Sequence, residues 1–129
     1  MRITYCVTPI PHLLTMSNLI LHITPKSEWN AAQVSGSYTA PSLASEGFIH
    51  CSTRAQAVAT AERFYAGQRG LVLLVIDPAR LQPEIKYEPG ADKPDDLFPH
   101  IYGPLNLDAV ARVVDFEPDS SGHFHLPSL

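Results

Sequence analysis

The sequence predicts a single α+β domain with a core sheet of about six strands and two main helices. Short apolar runs, above all residues 71–76 (Leu-Val-Leu-Leu-Val-Ile), have the length and composition of buried strands. The helical patterns do not alternate regularly with the strands, which argues against a doubly wound parallel sheet. With 129 residues, 45% of them hydrophobic, the chain can bury a core without disulfides or a structural metal.

The first strand is predicted at residues 19–23, an almost continuous apolar run that contains His22. Thr24 and Pro25 are expected to begin the first helix, as its N-cap and its first helical residue. A threonine hydroxyl accepts from the unpaired N–H groups of a first turn, and proline has no N–H to leave unpaired. The helix is expected to end at Gly36.

Residues 37–46 show no hydrophobic periodicity and contain proline, so they predict a loop with a short strand at Tyr38. A second buried strand, again with a histidine in it, is predicted at residues 47–51. Thr53 and Gln56 then have the spacing of a capping box, which predicts the start of the second helix.

The longest apolar run is predicted to be the central strand, because it has no polar face. Residues 84–88 alternate in polarity and predict a half-exposed strand, followed by a surface loop at residues 89–96. A third histidine-bearing segment at residues 97–104 precedes a one-turn helix at 106–110 and a last strand at 112–116.

The predicted domain covers residues 19–117. Residues 1–18 are expected to be an N-terminal extension without the pattern of a secretory leader, and residues 118–129 a flexible tail without an apolar period. The net charge of −4 and the scattered lysines and arginines argue against general nucleic-acid binding. No apolar run is long enough to cross a membrane, so we expect a cytoplasmic protein with no membrane partner.

Two histidines stand in the same setting, near the end of an apolar strand and before a helix start: His22 and His50. A buried imidazole must find hydrogen-bond partners or lose roughly 1–3 kcal/mol. If the two strands lie side by side, both rings would converge on one cleft, joined by His100 and Tyr102 from the third segment. The alternative is that each histidine is a core residue bonded to the backbone. The other polar side chains expected around the cleft are Thr24, Lys26, Tyr38, Ser42, Ser45 and Ser52.

Metal and thiol chemistry are less well supported by the sequence. Three histidines match the ligand number of one type of zinc site, but no two of them are anchored on one element, so no metal site is predicted. Cys51 precedes a predicted helix start, a position that favours a reactive thiolate. Neighbours in a strand point to opposite faces, so Cys51 should point into the core if His50 faces a cleft. Cys6 and Cys51 are both expected to be free thiols.

Three segments of the chain carry a family resemblance: Leu21-His22-Ile23-Thr24, Gly47-Phe48-Ile49-His50-Cys51-Ser52 and Phe98-Pro99-His100-Ile101-Tyr102-Gly103-Pro104-Leu105. They resemble the motifs of a small bacterial family, domain of unknown function 952. More distantly, the order of elements is similar to that of the ADP-ribosyltransferase superfamily, which includes the tRNA 2′-phosphotransferases. This resemblance implies an ADP-ribosyltransferase-like split sheet.

The resemblance implies two functional hypotheses. In the first, a pocket binds NAD, ADP-ribose or a phosphorylated nucleotide and catalyses glycosidic transfer, with NAD as a substrate rather than a bound cofactor. His22 would contact the ribose hydroxyls, His50 the nicotinamide end and Lys26 a phosphate. The superfamily's late glutamate has no match here, and His100 or Tyr102 would complete the wall instead. In the second hypothesis, the same fold is a non-catalytic ligand-binding or interaction module.

Overall fold

The computed structural model describes residues 19–90 and 93–129, and in this part of the chain the α+β class is confirmed. The first strand, β1 (Ile20–Pro25), pairs along its whole length with β4 (Leu71–Ile76). On its other edge β4 pairs with β8 (Val110–Asp115), so this antiparallel sheet has the order β1-β4-β8. All six side chains of β4 are buried, which confirms it as the central strand. The predicted N-terminal extension and Cys6 lie outside the described residues.

Two further antiparallel sheets complete the strands of the described residues. The β3-β6-β5 sheet contains β3 (Ile49–His50), β6 (Leu97–Tyr102) and the half-exposed β5 (Glu84–Pro89). A two-stranded sheet pairs β2 (Ser37–Tyr38) with β7 (Leu105–Asn106). The described residues therefore contain eight strands, where the sequence pattern predicts about six.

Three α-helices are present in the described residues, one more than predicted: α1 (Lys26–Ser35), α2 (Pro41–Glu46) and α3 (Ala57–Phe64). Helix α2 replaces most of the predicted loop. Its signals are a proline in the first turn and Gly47 in the left-handed conformation after the last residue. Six residues are too few to show a clear apolar stripe, which is why the period did not reveal this helix.

The predicted capping role of Thr24 is wrong. Strand β1 continues through Pro25, so α1 begins at Lys26 and has no side-chain cap. Gly36 ends the helix as predicted, with φ of 98°. At the start of α3, the side chain of Gln56 accepts a hydrogen bond from the Thr53 N–H, but regular helix begins only at Ala57.

Strand β4 separates two hydrophobic cores, because its side chains alternate between its faces. Val72, Leu74 and Ile76 pack with α1 and the inner face of the β3-β6-β5 sheet. The alternate residues of β4 form the second core with helix α3 and with Phe116 and Phe124 of the C-terminal segment.

The segment predicted as a flexible tail packs against the domain. Phe124 is buried, and its ring centroid lies 5.0 Å from that of Phe116. The backbone N–H of Phe124 donates to Glu62 Oε2 on α3 at 2.6 Å. The C-terminal residues therefore cover one side of α3. The predicted one-turn helix is present as a 3₁₀ turn at Leu107–Ala109.

Candidate functional site

His22 is a buried residue whose two ring nitrogens are both hydrogen-bonded. Its Nδ1 lies 2.6 Å from the backbone oxygen of His50, and its Nε2 lies 2.7 Å from the hydroxyl of Tyr38. The Tyr38 hydroxyl is also 2.9 Å from Thr24 Oγ1, which is buried as well. Burial lowers the pKa of His22 to about 4, so the ring is neutral near pH 7. His22 therefore holds the backbone of β3 in place.

A single pair of residues decides which face each histidine occupies. Leu21 and Ser52 form an isolated antiparallel bridge, with N–H···O distances of 2.8 and 2.7 Å. Side chains of bridged residues lie on the same face, and successive residues alternate. His50, two residues before Ser52, consequently lies on the face of Leu21, whereas His22 lies on the opposite one. The predicted convergence of the His22 and His50 rings on one cleft is wrong; the two residues meet through the His50 carbonyl.

A cavity of about 590 Å³ lies on the His50 side, between helix α3 and the outer face of the β3-β6-β5 sheet. Its wall on β1 is formed by Leu21 and Ile23, which belong to the second core. His22 and Lys26 do not line it. The remaining lining residues are Glu46, Phe48, His50, Cys51, Ser52, Thr60, Arg63, Phe64, Tyr65, Pro89, Gly90, Phe98 and His100.

One wall of the cavity carries two paired imidazoles. His50 and His100 are direct partners in the β3-β6 register, and their ring centroids are 5.2 Å apart. The ring of Phe48 stacks on His100 at 4.1 Å and meets His50 edge to face at 4.8 Å. The structure thus brings His50 and His100 together, and the ring of Phe48, a residue not predicted for the site, contacts both.

Each of these imidazoles has its own carboxylate. His50 Nε2 lies 3.1 Å from both oxygens of Glu46, and this pair is about half exposed. His100 is only 6% exposed in its side chain, and its Nδ1 lies 2.7 Å from Glu88 Oε1. The same Glu88 oxygen accepts the hydroxyl of Tyr102 at 2.5 Å.

The pKa shifts around His100 follow from these bonds. The hydrogen bond from Tyr102, and then that from His100, hold the pKa of the Glu88 carboxyl below its usual value. The hydrogen bond between Tyr102 and Glu88 also raises the pKa of Tyr102 to about 12. Glu88 is therefore ionised and Tyr102 is protonated at neutral pH.

The remaining predicted residues are dispersed. Ser52 lines the cavity and donates to Thr60 Oγ1 at 3.2 Å, while Ser42 donates to the Phe48 carbonyl at 2.8 Å and supports the turn before β3. Ser45 donates to the carbonyl of Pro41 within α2. Lys26 is exposed at the start of α1.

Cys51 is a free thiol with its side chain in the first core, on the face opposite to His50, as expected. Burial raises the pKa of this thiol, which disfavours the nucleophilic thiolate. Over residues 19–90 and 93–129, no three His, Cys, Asp or Glu side chains come together in a way that could hold a metal ion. No helix in the same residues is long and apolar enough to cross a membrane.

Three members of the site were not predicted from the sequence: Glu46, Glu88 and Phe48. Glu46 lies four residues before His50, a spacing that could have suggested their pairing. Glu88 reaches His100 only because β5 and β6 pair, and no local pattern indicates that register.

A family model described as "Protein of unknown function (DUF952)" matches residues 23–113. The chain belongs to the DUF952 family. The match begins one residue after His22 and includes His50, Glu88 and His100. This member of the DUF952 family also resembles two solved structures.

Both structures are of protein CC0527 from Caulobacter crescentus. The crystal structure has a TM-score of 0.76 at 34% identity, covering 84% of this chain and 95% of that chain. The solution NMR structure has a TM-score of 0.71 at 35% identity, covering 81% and 90%. No curated protein sequence matches the chain.

Proposed function

We propose that the cavity beside α3 binds a nucleotide of the NAD or ADP-ribose type. Its volume of about 590 Å³ falls within the roughly 300–1,000 Å³ usual for small-molecule sites. Apolar side chains from β1, α3 and β6 make up most of its walls, and two imidazoles, those of His50 and His100, share one wall. An apolar pocket with a few convergent polar groups suits a planar ring attached to a sugar.

The observation that carries the proposal is the pair of carboxylate-bonded imidazoles, His50 and His100, on one cavity wall beside the ring of Phe48. Imidazole nitrogens exchange hydrogen bonds with sugar hydroxyls near neutral pH. Phe48 adds aromatic surface at the same place. Arg63 also lines the cavity and brings a positive charge to the side facing these histidines.

The reaction we propose for this site is glycosidic transfer. In NAD, the bond between ribose C1′ and the nicotinamide nitrogen would break, and nicotinamide would leave with the electron pair as a neutral molecule. The oxygen of a hydroxyl acceptor would form the new bond to C1′, and its proton would pass to an imidazole of the pair. The carboxylate of Glu46, a cavity-lining residue, would stabilise positive charge that develops on the sugar.

The distant resemblance to ADP-ribosyltransferases, drawn from the order of elements in the sequence, is a second support for this proposal. The strands form separate sheets, and the β1-β4-β8 and β3-β6-β5 sheets meet at the Leu21–Ser52 bridge, next to the cavity. The role of His22 changes, however. Because its nitrogens bind the His50 carbonyl and Tyr38, it supports the wall that carries His50 instead of contacting ribose.

Calorimetric titration with NAD, ADP-ribose and a 2′-phosphorylated nucleotide tests the binding proposal, and chromatographic detection of free nicotinamide tests the transfer. His50→Ala and His100→Ala should each weaken binding by roughly tenfold or more, the equivalent of a lost hydrogen bond to the ligand. His125→Ala is the matched control, because His125 is exposed and pairs with Asp119 outside the cavity. Absence of binding by the unmodified protein at millimolar ligand would contradict the proposal.

A second candidate is a non-catalytic binding module with the same ligand. It is favoured by the sequestration of His22, the histidine that the resemblance assigns to the ribose. For such a module, NAD or ADP-ribose should raise the midpoint of thermal unfolding without release of nicotinamide. His50→Ala would then reduce only the ligand affinity.

A further inference from the structure

We propose that His100 Nε2 is the proton acceptor of the cavity and that Glu88 positions it by fixing the ring tautomer. This inference rests on the proposed function only for the identity of the ligand. The arrangement itself is carried by three side chains on two paired strands, Glu88 of β5 with His100 and Tyr102 of β6.

The tautomer follows from which groups can donate. Glu88 is ionised, and a carboxylate only accepts hydrogen bonds. Both groups that bond to its Oε1 must therefore donate, so Tyr102 keeps its hydroxyl proton and His100 carries a proton on Nδ1. In a neutral imidazole the other nitrogen, Nε2, then has a free lone pair.

This lone pair has no partner among the described residues, although the ring is nearly buried. The side chain of His100 is 6% exposed, and its Nδ1 makes its one protein hydrogen bond within residues 19–90 and 93–129. A buried acceptor without a partner destabilises the folded protein unless water or a ligand supplies a donor. His100 lines the cavity, so a ligand hydroxyl is the donor that fits.

The surroundings of His100 restrict the ring in both plane and rotation. Phe48 stacks on one face with an interplanar angle of 15°, and Glu88 holds the Nδ1 edge. Lys86, the register partner of His100 on β5, has its Nζ 4.7 Å from the centre of the Tyr102 ring. From the other elements, His50 with Glu46 faces the ring across the strand pair, and Arg63 faces it across the cavity.

In the proton transfer, the ligand O–H bond breaks and the proton binds to Nε2, leaving the electron pair on the ligand oxygen. The ring becomes an imidazolium, and the carboxylate of Glu88 stabilises its charge without taking the proton. Glu88 is thus a positioning residue, while His100 is the group that touches the ligand.

The test is ¹⁵N NMR of the histidine rings in the full chain without ligand. In the neutral form of its ring, His100 should show a protonated Nδ1 and an unprotonated Nε2. In Glu88→Gln both tautomers should be populated, because a glutamine side chain can accept from or donate to the ring. Glu84→Gln is the matched control, because Glu84 lies on the same strand, opposite Tyr102 in the register, and does not bond to His100.

A proton on Nε2 instead of Nδ1 in the neutral ring of the unmodified protein would overturn the inference, and so would a folded Glu88→Gln variant with unchanged tautomer. If the Glu88→Gln variant does not fold, the tautomer of His100 in the unmodified protein still tests the inference. With NAD as the probe, Glu88→Gln should bind roughly tenfold more weakly than Glu84→Gln. A fixed Nδ1–H tautomer together with no binding of NAD or ADP-ribose would contradict the proposed function but leave the positioning role of Glu88 intact.

Discussion

His22 shows how a residue can be correctly singled out from the sequence and still be given the wrong role. A histidine in an apolar strand must have partners, and it has two, the His50 carbonyl and the Tyr38 hydroxyl. Both partners lie inside the protein, so the imidazole is structural. Its neutral form is the one that the fold stabilises, because burial disfavours the charge.

The free energy of unfolding should therefore fall at acidic pH, because protonation of His22 favours the unfolded chain. The folded pKa of about 4 lies below the ordinary value of 6.5, so the unfolded chain binds the proton more readily. The contribution of His22 is complete above pH 6.5 and is lost as the pH falls from 6.5 towards 4, by up to about 3 kcal/mol. Urea unfolding at several pH values measures it.

His22→Asn is the informative variant, because asparagine keeps a donor near the Nδ1 position but does not titrate. The His22→Asn variant should not show the loss of stability that protonation of His22 causes between pH 6.5 and 4. The His125→Asn variant, changed at an exposed site, should still show it. The carboxyls with lowered pKa, including Glu62 and Glu88, lose their contributions only at lower pH. Parallel pH profiles for the unmodified protein and His22→Asn would contradict this account.

Among the secondary-structure elements, the C-terminal segment departs most from its sequence pattern. It has no strand or helix, yet it holds Phe124 against the second core and bonds to Glu62 of α3. Helix α3 ends at the cavity, where Arg63 and Phe64 contribute to its wall. The segment is therefore part of what supports that wall.

Phe124→Ala should destabilise the domain by about 3 kcal/mol, because it removes a buried aromatic ring and leaves a cavity. Thermal or urea unfolding measures the change, and amide hydrogen exchange should accelerate most in α3. Leu126→Ala is the control, since Leu126 is among the exposed large side chains and should cost less than about 0.5 kcal/mol. Equal effects of the two substitutions would show that the segment does not pack as described.

At the scale of the whole molecule, one strand joins two cores. Leu73 and Leu74 of β4 are both fully buried, but they face opposite sides and belong to different hydrophobic clusters. Because these clusters share β4, neither can be lost without the other. The described domain should therefore unfold as one cooperative unit.

Leu73→Ala and Leu74→Ala should each cost roughly 2–5 kcal/mol and leave a single unfolding transition. Val113→Ala on the outer strand β8, where the side chain is 40% exposed, should have a much smaller effect. Denaturant unfolding followed by both circular dichroism and Trp29 fluorescence checks the cooperativity, since Trp29 reports on the first core. Non-coincident transitions would contradict a shared core.

The sequence by itself determined the α+β class, the central strand, the end of α1 at Gly36 and the membership of the DUF952 family. These depend on hydrophobic pattern, on glycine conformation or on motifs that lie within a few residues of one another. Helix α2 was not predicted, because its six residues are too few to show hydrophobic periodicity.

Only the tertiary structure decided which face each histidine occupies and which carboxylate it meets. A shift of one residue at the Leu21–Ser52 bridge would exchange the faces, and nothing local specifies that register. Glu88 reaches His100 across twelve residues of sequence through the pairing of β5 with β6. Strand registers are set by the packing of the whole core, so the site they assemble cannot be read from its separate segments.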